Sequence, residues 1–202
     1  MSIQIKELNP NDYDILRKFA IEGMNLNRHT EYEYELYFYS KYYIFFELLN
    51  STQIFAAYEN DKLVGVLFAE FKNEPKKVNS FYMKIYVKSI DFIMNVFYKG
   101  LNIYMEANKD MFNEFKKNNE PDGEIRFFAV DPNLKGKGIG TLLLKHLENI
   151  EKGKKVFLYT DSGCTYQFYE HRGFKREQER NIILPIHGKD TPLTCFLFSK
   201  SF

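Results

Sequence analysis

Residues 135–141, with the sequence KGKGIGT, combine three glycines with two lysines just before a leucine-rich segment. The N–H groups in the first turn of a helix have no partners within the helix and carry partial positive charge. Where glycines let a ligand approach the backbone closely, these groups bind an anion, most often a phosphate. Lys135 and Lys137 add local positive charge. The segment therefore predicts a phosphate-binding loop at the start of a helix.

Two common phosphate-binding motifs do not fit this loop. The P-loop requires a Gly-Lys pair followed by Ser or Thr, and no such triplet occurs in the chain. The dinucleotide fingerprint G-x-G-x-x-G opens a Rossmann domain, whereas these glycines alternate and lie two-thirds of the way along the chain. A turn that binds no ligand is the remaining alternative. It is disfavoured because each glycine inside a helix costs about 1 kcal/mol.

The loop and its flanks resemble a known family motif. The segment VDPNLKGKGIGTLLLKHL (130–147) is similar to the coenzyme A-binding motif of the GNAT N-acetyltransferase superfamily, Q/R-x-x-G-x-G/A. Lys135 takes the Gln or Arg position, and Gly138 and Gly140 take the two small positions. The lysine is a minor departure if that position contributes mainly its backbone N–H.

A second segment extends the resemblance. FLYTDSGCTYQFYEHRGFKRE (157–177) is similar to the strand, helix and FYExxGF sequence that follow in the family, at the family's spacing. Ser162 and Thr165 stand where Asn and Ala are frequent, which affects side-chain contacts to the pantetheine arm. The two segments in this order identify the sequence as a member of the superfamily.

The resemblance implies acetyl-coenzyme A as the donor and implies no metal. The strand before the loop is expected to pair with the pantetheine arm as an added strand would, and the N–H of Val130 to polarise the thioester carbonyl. Lys137, Lys145 and Arg172 are candidates for the terminal phosphate, and each is also explained as a solvated charge. The coenzyme-binding residues implied are Phe128, Ala129, Val130, Lys135, Gly136, Lys137, Gly138, Ile139, Gly140, Thr141 and Ser162.

The resemblance also implies direct transfer of the acetyl group to an amine, with an acid and a base at the site. Tyr169 matches the family's general acid, and its ordinary pKa of about 10 keeps it protonated at neutral pH. Glu124 is the candidate base, acting directly or through water. Strand alternation predicts that Glu124, Arg126, Phe128 and Val130 share one face. A core tyrosine and a surface glutamate are the structural alternatives.

The acceptor site is expected near the first two helices, which border the acceptor cleft in this family. The segment NRHTEYEYELYFY (27–39) concentrates acidic and aromatic side chains, which suit a cationic amine. Glu31, Tyr32 and Glu35 are the predicted acceptor-binding residues. The alternative is an exposed helix face, because Glu31 and Glu35 lie one turn apart.

The elements that position these residues alternate between strands and helices, which indicates an α/β (α+β) sheet protein. The layout resembles a GNAT-type mixed, mostly antiparallel twisted sheet flanked by helices, in a single domain over residues 1–202. A helical insertion or lid at 72–122, between the third and fourth strands, is unusually long for a connection. Predicted strands cover 3–8, 53–59, 62–71, 124–130, 155–160, a segment opening at Gly173-Phe174, and 194–200. Predicted helices cover about 11–27, 31–50, 76–118 with a break near Gly100, 138–151 and 164–171.

Composition narrows the class of protein. A net charge of +1 favours neither nucleic acid nor an anionic membrane as a partner. The N-terminal MSIQIKELNPNDYD has no signal pattern, and two cysteines without framework spacing suit a reducing compartment, so a cytoplasmic location is expected. The histidines lack metal-ligand spacing, and Cys164 has no evident His partner, so neither a metal site nor a thiol acyl-enzyme is predicted.

The sequence therefore predicts an acetyl-coenzyme A-dependent N-acetyltransferase that acts on a primary amine, of a small molecule in the first instance. A protein or peptide acceptor is one alternative, and it requires an open groove rather than a cavity closed by 76–118. A non-catalytic acyl-coenzyme A sensor is the other. Exposed edge strands permit a homodimer.

Overall fold

The computed structural model describes residues 3–28, 30, 32–97, 102–186 and 189–202. Within these residues seven strands form one sheet. The strands are β1 (Ile3–Lys6), β2 (Gln53–Glu59), β3 (Lys62–Phe71), β4 (Gly123–Val130), β5 (Lys155–Asp161), β6 (Lys175–Ile186) and β7 (Lys189–Ser201). The helices are α1 (Tyr13–Gly23), α2 (Glu33–Asn50), α3 (Phe81–Phe97), α4 (Asn102–Lys116), α5 (Ile139–Ile150) and the single turn α6 (Gln167–Glu170).

The sheet has the order β1-β2-β3-β4-β5-β7-β6, and its neighbours are antiparallel except for β4 and β5. This parallel pair is short: Gly123 lies opposite Val156 and Glu124 opposite Phe157. Beyond these two positions the strands diverge within the described residues. The predicted mixed, mostly antiparallel sheet is confirmed, and its two halves are joined at a narrow junction.

The hairpin between β2 and β3 follows its turn chemistry. Asn60 and Asp61 have positive φ values of 50° and 59°. Both central residues of a type I′ turn need positive φ, which Asn and Asp tolerate better than most residues. The prediction of a tight hairpin at these residues is confirmed.

The helical insertion between the third and fourth strands is also confirmed, and its two helices pack on different halves of the sheet. Helix α3 packs against α2, whereas α4 packs against β6 and β7. The predicted break at Gly100 lies outside the described residues. No helix in the described ranges is both long and apolar enough to cross a bilayer.

Three apolar clusters fix the helices on the sheet. Helices α1, α2 and α3 cover one face of β2–β4 through side chains such as Leu16 and Phe127. Helix α5 covers the opposite face through Leu143, Leu144 and their partners on β3, β5 and β7. Helix α4 covers Phe157, on the face of β5 that α5 leaves open. Helices α1, α2 and α4 therefore lie on the same side of the sheet.

Several predicted boundaries shift. Helix α1 ends at Gly23 rather than near 27, and a separate 3-10 turn covers Leu26–Arg28. Helix α2 begins at Glu33, because Thr30 accepts a hydrogen bond from the N–H of Tyr32 at 3.1 Å outside the helix. Helix α6 is shorter than predicted. The hairpin of β6 and β7 is longer than predicted. Its first part was missed because the polar sequence KREQER has no apolar alternation that would indicate a strand.

Candidate functional site

A β-bulge in β4 orients the side chains at the junction. Phe127 lies opposite Phe68 and Ile125 opposite Ala69, so Arg126 is an extra residue without a partner on β3. A bulge reverses the side-chain alternation beyond it. The prediction that Glu124, Arg126, Phe128 and Val130 share one face is therefore wrong. Phe128 and Val130 pack on the α5 side, whereas Arg126 reaches Glu47 of α2.

The divergence of β4 and β5 opens a cleft with a volume of about 460 Å³, a size typical of small-ligand sites. Its lining comes from the end of α1, the diverging strands, the glycine loop, α4 and the segment from β5 to α6. Predicted residues that line it are Phe128, Ala129, Val130, Lys135, Gly136, Gly138, Ile139, Gly140, Thr141 and Tyr169. Lys137, Ser162 and Glu124 are not among the lining residues.

The glycine loop exposes the first turn of α5 to the cleft. Gly136 and Gly138 have φ values of +87° and +80°, a left-handed conformation that other residues adopt only with strain. A Cβ atom at either position would have no neighbour within 4 Å, so the space over the loop is open. Gly138 caps α5 without a side-chain hydrogen bond. The leading N–H groups of α5 are thus directed at open space, as anion binding requires.

Two cationic side chains border this loop. Lys135 Nζ donates to Thr165 Oγ1 at 3.1 Å. Arg172 donates to Thr141 Oγ1 through Nε at 3.1 Å and through Nη2 at 2.6 Å. Both line the cleft, whereas Lys145 does not. Of the predicted phosphate contacts Lys145 and Arg172, Arg172 is therefore the better placed.

Tyr169 lies at the wall of the cleft among aromatic rings. Its ring centroid is 6.4 Å from that of Phe128 and 5.6 Å from that of Phe174. Burial raises the pKa of Tyr169 above its ordinary value, and the nearby Cys164 adds to the shift. The hydroxyl therefore stays protonated at neutral pH and is available as a hydrogen-bond donor.

Glu124 lies at the vertex where the strands diverge, in a network around Arg126. The guanidinium donates at 2.9 Å to Glu47 and to Glu70, and lies 3.5 Å from Glu124. Lys76 also binds Glu70. Burial raises the pKa of Glu124 against the lowering effect of Arg126. Burial also raises the pKa of Glu47, to about 7. Of these side chains Arg126 lines the cleft.

Two of the three predicted acceptor residues lie outside the lining of the cleft. Tyr32 is 60% exposed, and Glu35 accepts a hydrogen bond from Thr30; neither lines the cleft. Glu31 lies outside the residues that the structure describes. The structure therefore does not bring Tyr32 or Glu35 into the lining of the cleft.

Sequence reasoning missed the residues that line the far side of the cleft. Tyr104 of α4 donates a hydrogen bond to Asp161 Oδ2 at 3.3 Å, and Tyr159 lies two positions before Asp161 on the same face of β5. All three line the cleft. The alternation of β5 carried a signal for Tyr159 and Asp161. Nothing in the sequence indicated that α4 would dock beside them.

A bridge joins two turns that border the cleft. Asn25 Nδ2 donates to the carbonyl of Gly163 at 3.4 Å, and Arg28 lies 3.8 Å from Asp161. A Cβ atom on Gly163 would lie 2.1 Å from the Arg28 guanidinium, so the missing side chain makes room for this contact. The turn after α1 is thereby held against the turn after β5.

The cysteine in this region is not activated. Burial raises the pKa of the Cys164 thiol to about 11, so the thiolate required for nucleophilic attack is scarce at neutral pH. Within the described ranges no group of three His, Cys, Asp or Glu side chains could hold a metal. His29 and His187 lie outside those ranges.

Comparisons with solved structures place the fold among N-acetyltransferases. The chain is similar to the PaiA N-acetyltransferase of Thermoplasma acidophilum, crystallised with coenzyme A (18% identity, 100% of both chains, TM-score 0.53). It is similar to Arabidopsis thaliana NAA60, crystallised with a bisubstrate analogue (15% identity, 98% of this chain and 97% of the other, TM-score 0.58). It is also similar to a polyamine N-acetyltransferase of Drosophila melanogaster (12% identity, 100% of both chains, TM-score 0.58). The TM-scores establish a shared fold, and at these identities the likeness extends no further.

The sequence itself carries the family assignment. No curated protein sequence matches the chain. The profile of the acetyltransferase (GNAT) family, however, matches residues 18–174, which include α2, the insertion, the glycine loop and Tyr169. The chain therefore belongs to the GNAT acetyltransferase family.

Proposed function

We propose that this protein transfers an acetyl group from acetyl-coenzyme A directly to a primary amine of a small molecule. One observation carries the proposal: a single cleft joins the exposed first turn of α5 to Tyr169 and to the diverging edges of β4 and β5. The cleft thus contains an anion-binding turn at the start of α5, the unpaired edge of β4 and the hydroxyl donor of Tyr169. A long donor with a phosphate at one end and a thioester at the other matches this arrangement.

The described residues fit such a donor. The leading N–H groups of α5 and the side chains of Lys135 and Arg172 can hold the pyrophosphate and its charge. Phe128, Ala129 and Val130 line the cleft on the edge of β4 that has no strand partner, where they can pair with an extended arm. Lys137 and Ser162 remain candidates for contacts outside the cleft lining.

Tyr169 is proposed to act on the leaving sulfur. In the transfer, the amine nitrogen attacks the thioester carbon, a C–N bond forms and the C–S bond breaks. A tyrosine retains its proton more firmly than a thiol, and burial strengthens this preference for Tyr169. Tyr169 therefore donates a hydrogen bond to the developing thiolate. The attacking nitrogen loses one proton to solvent as it becomes the amide, and the thiolate takes one proton from solvent.

Glu124 is proposed to receive the proton that the ammonium group must lose before attack. It lies at the vertex of the cleft but outside its lining, so the proton reaches it through a water molecule. The raised pKa of Glu124 makes its carboxylate a stronger base than an exposed glutamate. The presence of both an acid and a base candidate favours an enzyme over an acyl-coenzyme A sensor.

The bridge between the two turns favours a small acceptor over a protein. The contacts of Asn25 with Gly163 and of Arg28 with Asp161 join the two turns that border the cleft. Helix α4 adds Tyr104 on the same side. An extended peptide would need the open groove that these contacts occupy.

Thiol release is the direct test of the function. With acetyl-coenzyme A and a panel of small primary amines, we expect free thiol to appear in step with an N-acetylated product, detected by mass spectrometry. Peptides with free N-termini serve as the competing acceptors. Turnover of peptides alone would replace the small-molecule assignment. Binding of coenzyme A without turnover of any acceptor would favour the sensor.

Glu124→Gln tests the base through the pH profile. In the parent enzyme kcat/KM for the amine rises with pH as Glu124 loses its proton, over a range above the ordinary glutamate pKa because the pKa is raised. The variant should lose this rise and fall about 10²-fold in kcat/KM near neutrality. The amine's own ionisation affects both enzymes alike. Glu148→Gln is the control, because it removes a carboxylate of α5 that binds Lys200 of β7. Equal pH profiles for the parent and Glu124→Gln would assign the base to water.

A further inference from the structure

We infer that Tyr104 of the insertion forms one wall of the acceptor pocket, and that this pocket selects a positively charged amine without a carboxylate group. The inference rests on the proposed function, since it names the acceptor class for the same cleft. It concerns the side of the cleft beyond Tyr169, between α2 and α4.

The pocket is lined with tyrosines from different parts of the chain. Tyr104 of α4 and Tyr159 of β5 line the cleft. Tyr43 of α2 does not line the cleft but is half-buried near Tyr104 and Arg126. Burial raises the pKa of all three, so each ring is neutral at physiological pH. Neutral tyrosine rings attract a cation through their faces, and the attraction grows when water is excluded.

The charges around these tyrosines favour the same ligand. Asp161 is 7% exposed and receives hydrogen bonds from Tyr104 and from the N–H of Gly163 at 2.7 Å. Within the described part of the chain, the carboxylates at or behind this side outnumber the cationic side chains. The carboxylates belong to Glu22, Glu47, Glu70, Glu124 and Asp161, and the cations to Arg28, Lys76 and Arg126.

The excess of carboxylates favours an amine without a carboxylate group over an amino acid. At the cleft surface itself, the described lining on this side carries the carboxylates of Glu22 and Asp161 and the guanidinium of Arg126. Arg126 is occupied by Glu47 and Glu70, and Arg28 by Asp161. An acceptor carboxylate would therefore meet like charge in a partly desolvated pocket, where repulsion is strong. Lys135 and Arg172 bind Thr165 and Thr141, at the coenzyme end.

Matched pairs of amines test the acceptor class. Phenylalanine is phenethylamine with one hydrogen replaced by a carboxylate, and 4-aminobutyrate is related in the same way to propylamine. We expect kcat/KM for thiol release to be roughly 10-fold or more higher for the carboxylate-free member of each pair. Equal or better turnover of phenylalanine and 4-aminobutyrate would overturn the inference and leave the proposed function intact. Failure of every amine to release thiol would overturn both.

Variants at Tyr104 test the wall of the pocket. Tyr104→Ala should raise KM for the better amine roughly 10- to 30-fold. This range corresponds to a loss of about 1.4–2 kcal/mol, the size of a desolvated cation–ring attraction. KM for acetyl-coenzyme A should stay within about twofold, because Tyr104 lies away from the glycine loop. Tyr82→Ala makes the same change at a 59% exposed position of the same insertion, outside the cleft lining, and is the control.

A milder variant guards against misfolding. Tyr104→Phe keeps the ring and loses the hydrogen bond to Asp161, so it should fold even where Tyr104→Ala lowers the melting temperature. Its KM for the amine should rise by at most about threefold, because the ring that faces the cation is kept and only the contact that orients the ring is lost. An amine KM that both variants leave unchanged, with Tyr82→Ala behaving like the parent, would remove Tyr104 from the pocket.

Discussion

Gly138→Glu is expected to abolish the stabilisation of the protein by coenzyme A without unfolding the chain. A glutamate here places a negative charge at the exposed first turn of α5, where the pyrophosphate is proposed to bind. The folded chain has room for the side chain, since a Cβ at this position has no neighbour within 4 Å. The left-handed backbone costs the variant about 1–2 kcal/mol of stability.

The measurement is the melting temperature with and without coenzyme A. A ligand at about 100 times its Kd stabilises the folded state by about 2.7 kcal/mol, which raises Tm by roughly 5–11 °C for a domain of this size. Gly153→Glu is a close control, because Gly153 also has a positive φ of 87° and open surroundings, in the turn after α5. We expect the parent and Gly153→Glu to keep the shift. A full shift in Gly138→Glu would contradict a phosphate site at this turn.

Tyr169→Phe is expected to lower kcat by roughly 10²-fold or more while coenzyme A still raises Tm as in the parent. The substitution removes the hydroxyl and keeps the ring, which packs against Phe128, Phe174 and Phe198. The loss should therefore fall on the step in which the sulfur departs. Steady-state kinetics at saturating amine measure it.

The neighbouring Tyr166→Phe separates chemistry from packing. Tyr166 lies three residues before Tyr169 and packs on Phe196, outside the cleft lining. Removal of its hydroxyl should leave kcat within about twofold of the parent. If Tyr169→Phe also retained full turnover, Tyr169 would be a core residue whose hydroxyl takes no part in the reaction.

Local patterns in the sequence predicted most of the fold. The Asn60-Asp61 turn, the glycines before α5 and the alternation of β2 and β3 each depend on residues close in the chain. Local backbone preferences specify such features. The resemblance then supplied the mostly antiparallel arrangement of the sheet, which local patterns alone leave open.

The parts that were missed depend on contacts between distant segments. The sequence EIRFFAV gives no sign that Arg126 is an extra residue, because a bulge is defined by the partner strand. The Tyr104 side of the cleft was missed for the same reason, since Tyr104 and Asp161 lie 57 residues apart in the chain. The predicted group of Glu31, Tyr32 and Glu35 had side chains suited to an amine, but the sequence does not show how far they lie from the glycine loop.

The packing of the insertion has a consequence for how this enzyme could diversify. Helix α3 rests on α2 and helix α4 on β6 and β7, while the residues proposed to hold the coenzyme come from β4, the glycine loop and α5. Substitutions or length changes in α4 can therefore reshape the acceptor wall and leave the coenzyme site untouched. Mutational libraries confined to residues 102–116 offer a route to new acceptor specificities on an unaltered acetyl-transfer scaffold.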